Sequence, residues 1–408
     1  MTDTSKKEPL LFLCHRIPFP PNKGDKIRSF NILKKLSATY DIYLGFFIDD
    51  PYDKQYVKTL NKYCREVFHL DQNKTISKIK GLTSFLTNKP ITLPYYFDKR
   101  MQYWVNRTLL KNEISKIFVY SSSMAQYCES KSFNTFKRVI DFVDVDSDKW
   151  RQYAEKSSAI SKWIYQREYK HLAKYEDYVC RNFDYSLFVS PQEAKLFADR
   201  QPIEYRNKVL GVLNGVDLTF FDTNNEFEPE PLPEDEVFIS FTGAMDYWAN
   251  VEAVEWFVDA IWPAIKAHFP QLKFYVVGGN PSKEIKALNN KNGVVVTGRV
   301  KDIRPYIDKA QCVVASMQIA RGIQNKVLEA MAMSKTIVMT SLAAEGILLP
   351  KNQEKYIAND PALFAEKVIE LLNEISVANQ IGDENRTWVE EHYRWNNVLN
   401  TLPELLRN

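Results

Sequence analysis

Cysteine is sparse. The 408 residues hold five, at positions 14, 64, 128, 180 and 312, with no CxxC pair among them. An odd number so widely scattered builds neither a disulfide framework nor a zinc site. Long apolar runs are also missing. Nothing approaches the roughly 20 residues that span a bilayer, and the run Leu10–Cys14 is too short for a signal-peptide core. Charge of one sign is missing too, since 54 Lys and Arg stand against 51 Asp and Glu, a net +3. A bulk nucleic-acid binder would show a strongly basic domain. There is no GxxxxGK[ST], no HExxH and no GxSxG, which excludes Walker ATPases, zincins and α/β-hydrolases. The five histidines do not cluster with cysteines or acids along the chain. No short repeat or low-complexity tract is present. With 45% hydrophobic and 26% charged residues, the chain has the balance of one that buries a core, and its length suits two or three domains. The expectation is a cytoplasmic globular protein.

What is there is an alternation. Short apolar runs predict strands at 10–15, 42–47, 66–70, 117–120, 138–142, 185–190 and 209–213. Helical patterns lie between them, among them 27–37, 54–64 and 192–198, and 149–181 reads as one or two long helices. Short buried strands between helices specify a parallel sheet covered on both faces. The rhythm stops at 217–236, where DLTFFDTNNEFEPEPLPEDE carries three prolines, many acids and no periodicity. It then restarts, with strands at 237–242, 273–277, 294–297, 312–315 and 336–340 and helices at 251–268, 283–288, 303–308 and 325–333. The fold class expected is α/β with two successive units: domain 1–216, linker 217–236, domain 237–385 and a helical tail 386–408. In such units ligands sit at the carboxyl ends of strands.

The loops after strands hold the candidates. In HRIPFPPNKGDKIR (15–28), Gly24 permits close backbone approach and Asp25 suits an N-cap. Arg16, Lys23, Lys26 and Arg28 add positive charge, so the loop is either a phosphate contact or a proline-bounded turn. In RVIDFVDVDSDKW (138–150), four carboxylates follow a strand. Such a cluster suits a divalent metal held through oxygen ligands, recognition of sugar hydroxyls, or base chemistry; Asp146 or Ser147 reads as the cap of the following helix and Asp148 as a solvated acid, while Asp141 and Asp144 carry the functional reading. The serines 121–123 suit a helix cap. FTGAMDYWAN (241–250) puts Gly243 and Met245 at a strand exit, with Asn250 as a further N-cap candidate. Gly278 and Gly279 mark another exit, as do Arg299 and Val300. In SMQIARGIQNKVLEAMA (316–332), Arg321, Gly322, Asn325 and Lys326 precede or open a helix, with Glu329 one turn in. Cations and free amides at a helix amino end make a diphosphate seat. The basic-aromatic stretch 162–171 suits either a membrane surface or a helix packing its aromatics.

Taken as a set, PFPPNKGDKIRSF, DFVDVDSDKW, NGVD (214–217), FTGAMDYW and ARGIQNKVLEAMAM resemble family-4 glycosyltransferases. They are most similar to the sugar transferases associated with exosortase and exopolysaccharide gene clusters. The resemblance implies a GT-B fold: two Rossmann-like domains facing across a cleft, with a C-terminal helix crossing back to the first. It implies transfer from a nucleotide-diphospho-sugar with retention of configuration and without a required metal or other cofactor. The donor is expected in the second domain and a glycan or lipid-linked acceptor in the first. The family's E-x7-E pair ends at a residue matching Glu329, expected on the nucleotide ribose, and its first glutamate is Arg321 here. The family's Arg/Lys pair after the strand exit is absent beyond Gly243, so Arg321 and Lys326 are expected on the diphosphate. The family's first-domain histidine falls on the 141–144 segment.

The expected reacting set is therefore Asp141, Asp144 and Arg321. The expected donor set is Gly24, Asp25, Lys26, Gly243, Met245, Arg299, Val300, Gly322, Asn325, Lys326 and Glu329. Two alternatives stand beside this reading: a nucleotide-sugar epimerase of the same architecture, and a non-catalytic nucleotide-sugar-binding partner protein. A lipid-linked acceptor would bring the protein to the inner membrane surface. Nucleic acid is not an expected partner.

Overall fold

The computed structural model describes residues 7–21, 24–155, 157–320 and 322–407, and divides into two compact units. The first comprises Met1–Leu213 with Leu399–Asn408, and the second Asn214–Val398.

The first unit is built on a seven-stranded parallel sheet: β1 (Glu8–Cys14), β2 (Tyr40–Ile48), β3 (Glu66–Asp71), β4 (Lys116–Tyr120), β5 (Lys137–Val143), β6 (Tyr185–Phe188) and β7 (Val209–Gly211). Its order is β3-β2-β1-β4-β5-β6-β7, so the direction of winding reverses between β1 and β4. Leu10 to Cys14 are wholly buried, as a central strand covered on both faces requires. Helix Lys99–Lys111 shows how the faces are covered. Asp98 caps it, accepting from the Arg100 amide, and Met101, Trp104, Val105, Thr108 and Leu109 form its buried stripe. Trp104 lies so near β2 that a Cβ on Gly45 would stand 2.6 Å from its ring. The stretch 149–181 resolves into two helices, Asp146–Glu155 and Ala159–Asn182.

The second unit holds a five-stranded parallel sheet: β8 (Phe238–Thr242), β9 (Lys273–Val277), β10 (Val294–Gly298), β11 (Val313–Ala315) and β12 (Ile337–Met339). The order is β10-β9-β8-β11-β12, with its reversal between β8 and β11. The helix expected over 251–268 begins earlier, at Trp248, and is interrupted by a π-turn at Phe257–Ile261. Pro263 follows, lacks an amide hydrogen and cannot sit in an unbroken α-helical ladder.

The segment 217–236 has no helix or strand, yet it is tied to this unit. Glu230 accepts from the amides of Lys301 and Asp302 at 2.7 and 2.8 Å, and Asp302 accepts from the Glu228 amide. The Arg304 guanidinium stacks over Phe220 and Phe227. Its acids thus cap backbone on the unit's surface. Asn214-Gly-Val-Asp217 begins the segment: Gly215 leaves room for Trp395, Val216 donates to the Tyr393 carbonyl, and Asp217 accepts from the amides of Thr219 and Phe220.

In place of one tail helix there are three: Ile375–His392, Trp395–Val398 and Leu402–Leu405. Leu402–Leu405 belongs to the first unit, where the Tyr40 hydroxyl donates to the Pro403 carbonyl at 3.0 Å. Among the described residues no helix is long and apolar enough to cross a membrane.

Candidate functional site

The second unit's strand exits converge where its sheet reverses. Gly243 follows β8, Gly278 follows β9, Arg299 follows β10, and the segment from Ser316 follows β11. A crevice at the carboxyl ends of strands flanking a reversal is where open α/β sheets take ligands.

Two glycines let the backbone close in. A Cβ on Gly278 would stand 1.6 Å from the Gly243 carbonyl oxygen, and one on Gly243 would stand 2.7 Å from Asn250 Nδ2 and 3.2 Å from Lys326 Nζ. Asn250 is not the N-cap its position suggested. It lies inside the helix opened by Trp248, donates to the Ala244 carbonyl, and turns its amide oxygen toward Lys326.

Lys326 is the centre of this arrangement. Its Nζ donates to Asn250 Oδ1 at 2.7 Å, lies 3.9 Å from the centre of the Phe241 ring and 3.7 Å from Met317 Sδ. Among the described residues no carboxylate comes within ion-pair distance of it. Burial drives its pKa down to about 7, against the pull of Glu329, one turn along the same helix. Burial likewise pushes the Glu329 carboxyl up to about 7, with Lys326 opposing. A buried cation that lacks a close counter-ion is a group waiting for an anion. Lys326 lies in the first turn of helix Asn325–Ala332, whose N-cap Gln324 makes no side-chain cap bond and so leaves the first-turn amides without a side-chain partner there. Gly322, in the left-handed region at φ 66°, turns the chain into that helix. Asn325 accepts from the Asn214 side chain at 3.1 Å.

Of the other expected donor residues, Met245 is fully buried and holds the turn, its amide donating to the Gly279 carbonyl at 3.0 Å. Arg299 is exposed and lies against Gly279, free to reach a ligand. Val300 packs on a core cluster of Phe238, Tyr275 and Tyr306. Arg321 lies outside the described residues.

The first unit gathers a second cluster at its own reversal, after β1. In helix Gly24–Ser37, Asp25 sits in the first turn instead of capping it. Its carboxylate takes a 2.8 Å bond from Arg16 and lies 3.4 Å from His15 Nε2, while Arg16 also reaches Asp49 at 3.2 Å. Burial alone would raise the Asp25 carboxyl. The His15 hydrogen bond and the Arg16 charge outweigh it and hold the group well below the usual carboxylate range. His15 stacks on Tyr120 and meets Tyr96 edge-on. His15, Asp49 and Tyr96 were not singled out in the sequence. His15 and Asp25 do share a loop, which was the available signal.

Three expected contacts in this unit are structural. Lys26 is buried and bound to Asp53 at 2.5 Å. Arg28 and Asp141, both wholly buried, pair at 2.9 Å, and Arg28 also donates to the Val212 and Leu213 carbonyls. Both Asp141 oxygens are thus engaged within the unit: one holds Arg28 and the other accepts from the Val143 amide at 2.9 Å. That last bond secures a strained turn. Val143, a β-branched residue, has φ 72°, where β5 slips register against β6. The turn aims Asp144 past the strand end. One Asp144 oxygen pairs with Lys149 at 2.8 Å, and the other finds no partner among the described residues. The serines after β4 form a 3-10 turn, Ser122–Tyr127, without a side-chain cap.

Among the described residues no group of three His, Cys, Asp or Glu side chains is placed to hold a metal ion.

Comparison with known proteins fits this geometry. Residues 236–374 match the family model described as glycosyl transferases group 1. A Klebsiella pneumoniae protein described as an uncharacterized 44.6 kDa protein in the cps region is 21% identical over 400 residues, covering 94% of this chain and 96% of that one. The structure is similar to Anabaena HepE solved with UDP-glucose, at TM-score 0.67 and 13% identity, covering 98% of this chain and 99% of that one. It is also similar to sucrose-phosphate synthase of Thermosynechococcus elongatus, at TM-score 0.65, 17% identity and 98% coverage of both chains. The fold is GT-B, with two Rossmann-like parallel-sheet domains.

Proposed function

We propose that the protein is a glycosyltransferase that moves a sugar from a nucleotide-diphospho-sugar to a glycan or lipid-linked acceptor, with retention, in surface-polysaccharide or glycoconjugate assembly. The observation that carries this reading is Lys326: a buried ammonium without a close counter-ion, beside a helix amino end, at the reversal of a sheet inside the segment that matches glycosyl transferases group 1. The UDP-glucose bound by HepE, and the cps-region source of the Klebsiella relative, support the donor and pathway classes.

The chemistry follows from these residues. Cleaving the anomeric bond leaves charge on the diphosphate, and Lys326, the first-turn amides of Asn325–Ala332 and exposed Arg299 stabilise it as it develops. Arg321 is assigned to the same group. Glu329 accepts from ribose hydroxyls. In the first unit Asp144, whose second oxygen is buried without a partner among the described residues, is the carboxylate for an acceptor or sugar hydroxyl, and the His15–Asp25 pair lies at that unit's own reversal, after β1. The test is to incubate the protein with UDP-, GDP- and ADP-sugars, with and without glycan acceptors, and to follow nucleoside-diphosphate release and the anomeric proton of the product. Release with an α-linked product from an α-linked donor supports the reading. Inversion at C2 of the donor without release selects an epimerase.

A further inference from the structure

Helix Lys74–Leu82 is inside out. The residues it buries are small, Ser77 and Gly81, followed by Ser84 in the next turn, while Ile76, Ile79, Leu82 and Leu86 are exposed. At 100° per residue Ile76, Ile79 and Leu82 fall on one stripe opposite the buried Ser77, and Leu86 follows in the 3-10 turn Thr83–Leu86. The small face is needed for tight seating: a Cβ on Gly81 would come within 2.9 Å of Ile91. Nothing in that seating calls for large side chains on the outer face, where exposed Leu86 keeps 90% of its surface in solvent.

A second element extends the patch. Phe85 stacks on Trp163 of helix Ala159–Asn182 at 5.9 Å, and the Arg167 guanidinium covers Phe85 and donates to the Lys89 carbonyl. Trp163 is 59% exposed and Ile160 79%. Large apolar side chains grouped this way on one surface mark a binding face.

Charge says what binds. Residues 72–97 contain four lysines and no carboxylate, and 157–167 add Lys162 and Arg167 with none. Lys74, Lys78, Lys89 and Lys162 are exposed, and at 100° per residue Lys78, with Lys74 one turn before it, borders one side of the aliphatic stripe and Lys80 the other. Of the acids next to these stretches, Glu168 is turned inward, accepting from the amides of Ile91 and Thr92 at 2.6 and 3.2 Å, while Asp71 and Asp98 are paired with Lys54 and Arg100. A stripe of aliphatic residues and a tryptophan, bordered by lysines, matches a bilayer surface with anionic headgroups. A protein groove would leave these lysines to be matched by carboxylates one by one.

We infer that the face formed by Lys74–Leu86 and the amino end of Ala159–Asn182 docks the protein on an anionic lipid surface. This goes beyond the donor-site reading and rests on none of its residues.

The test is co-sedimentation of the full chain with vesicles of phosphatidylcholine alone and of phosphatidylcholine with phosphatidylglycerol. Expected is binding to the anionic vesicles that weakens with salt, and that falls about fivefold for each of Lys74→Gln and Lys78→Gln, the factor that ~1 kcal/mol per basic residue implies. Ile79→Ser/Leu82→Ser/Leu86→Ser is expected to abolish binding while leaving the melting temperature and nucleoside-diphosphate titration unchanged. Brominated lipid is expected to quench a fluorescence component missing in Trp163→Phe. Equal binding to both vesicle types, wild-type binding by the triple variant, or dimerisation through this face without vesicle binding would each overturn the inference.

Discussion

The Lys326 ammonium donates to the Asn250 side-chain oxygen at 2.7 Å, and that one bond joins the helix after β11 to the helix after β8 across the sheet reversal. Asn250 offers an oxygen dipole but no charge, so it orients the lysine without neutralising it. A diphosphate would complete what Asn250 leaves unsatisfied.

Replacing the lysine therefore separates binding from folding. Lys326→Met removes a buried cation, so the melting temperature is expected to hold or rise. Nucleoside-diphosphate affinity is expected to fall about 10- to 100-fold, the loss of a charge-assisted contact worth ~1.5–3 kcal/mol. Calorimetric titration of both proteins checks this, and a large drop in melting temperature without loss of affinity would count against it.

The same group sets a pH dependence. Burial lowers Lys326 to about 7, and a diphosphate bound beside it is expected to restore its proton. Binding above pH 7 is expected to take up a proton and to weaken as pH rises, visible as buffer-dependent binding enthalpy in HEPES and Tris. For folding alone the signs differ. Because Lys326 falls from 10.5 to about 7, the unfolded chain binds more protons between those values, so this group makes stability rise there. Glu329 rises from 4.5 to about 7, so its contribution is fully present below 4.5 and is lost as pH climbs to 7. The difference in stability between wild type and Lys326→Met across pH 7–10 reports the first slope.

The two glycines at the strand exits predict different failures. An alanine at Gly278 meets backbone, the Gly243 carbonyl oxygen at 1.6 Å, and is expected to destabilise the second unit severely. An alanine at Gly243 meets the ends of two side chains, Asn250 and Lys326. Gly243→Ala is expected to fold and lose donor affinity. Thermal melts and nucleotide titrations of the pair check the contrast.

Asp141 and Asp144 are three residues apart and do different work. Asp141→Ala strands the buried Arg28 charge and is expected to cost about 3–5 kcal/mol of stability. Asp144→Asn is expected to leave denaturant unfolding nearly unchanged and to reduce transfer with an intact nucleoside-diphosphate affinity. Urea titrations alongside the release assay distinguish them.

That contrast also shows what was readable in advance. Among the described residues all twelve strands could be located from short apolar runs between helical patterns, because a parallel sheet buried on both faces leaves a continuous apolar signature. The position of Lys326 was readable for a similar reason: glycine, cation and helix onset follow one another locally. Long-range pairing was not. Lys26 and Arg28 looked like ligand-facing cations, but Asp53 and Asp141 claim them from 27 and 113 residues away. The π-turn before Pro263, the inward turn of Asn250 and the outward stripe of Ile76, Ile79 and Leu82 likewise depend on what packs opposite, and periodicity does not record that.

The account depends most directly on the second unit's affinity for a nucleoside diphosphate. The deciding measurement is a thermal-shift titration of the wild-type protein with UDP, GDP, ADP and CMP and their sugar conjugates, repeated on Lys326→Ala. A site filled at about 100 times its Kd stabilises the protein by roughly 2.7 kcal/mol. The account predicts a clear shift with one nucleoside diphosphate and its sugar, lost in the variant. No shift with any of them, or an equal shift in the variant, would contradict it.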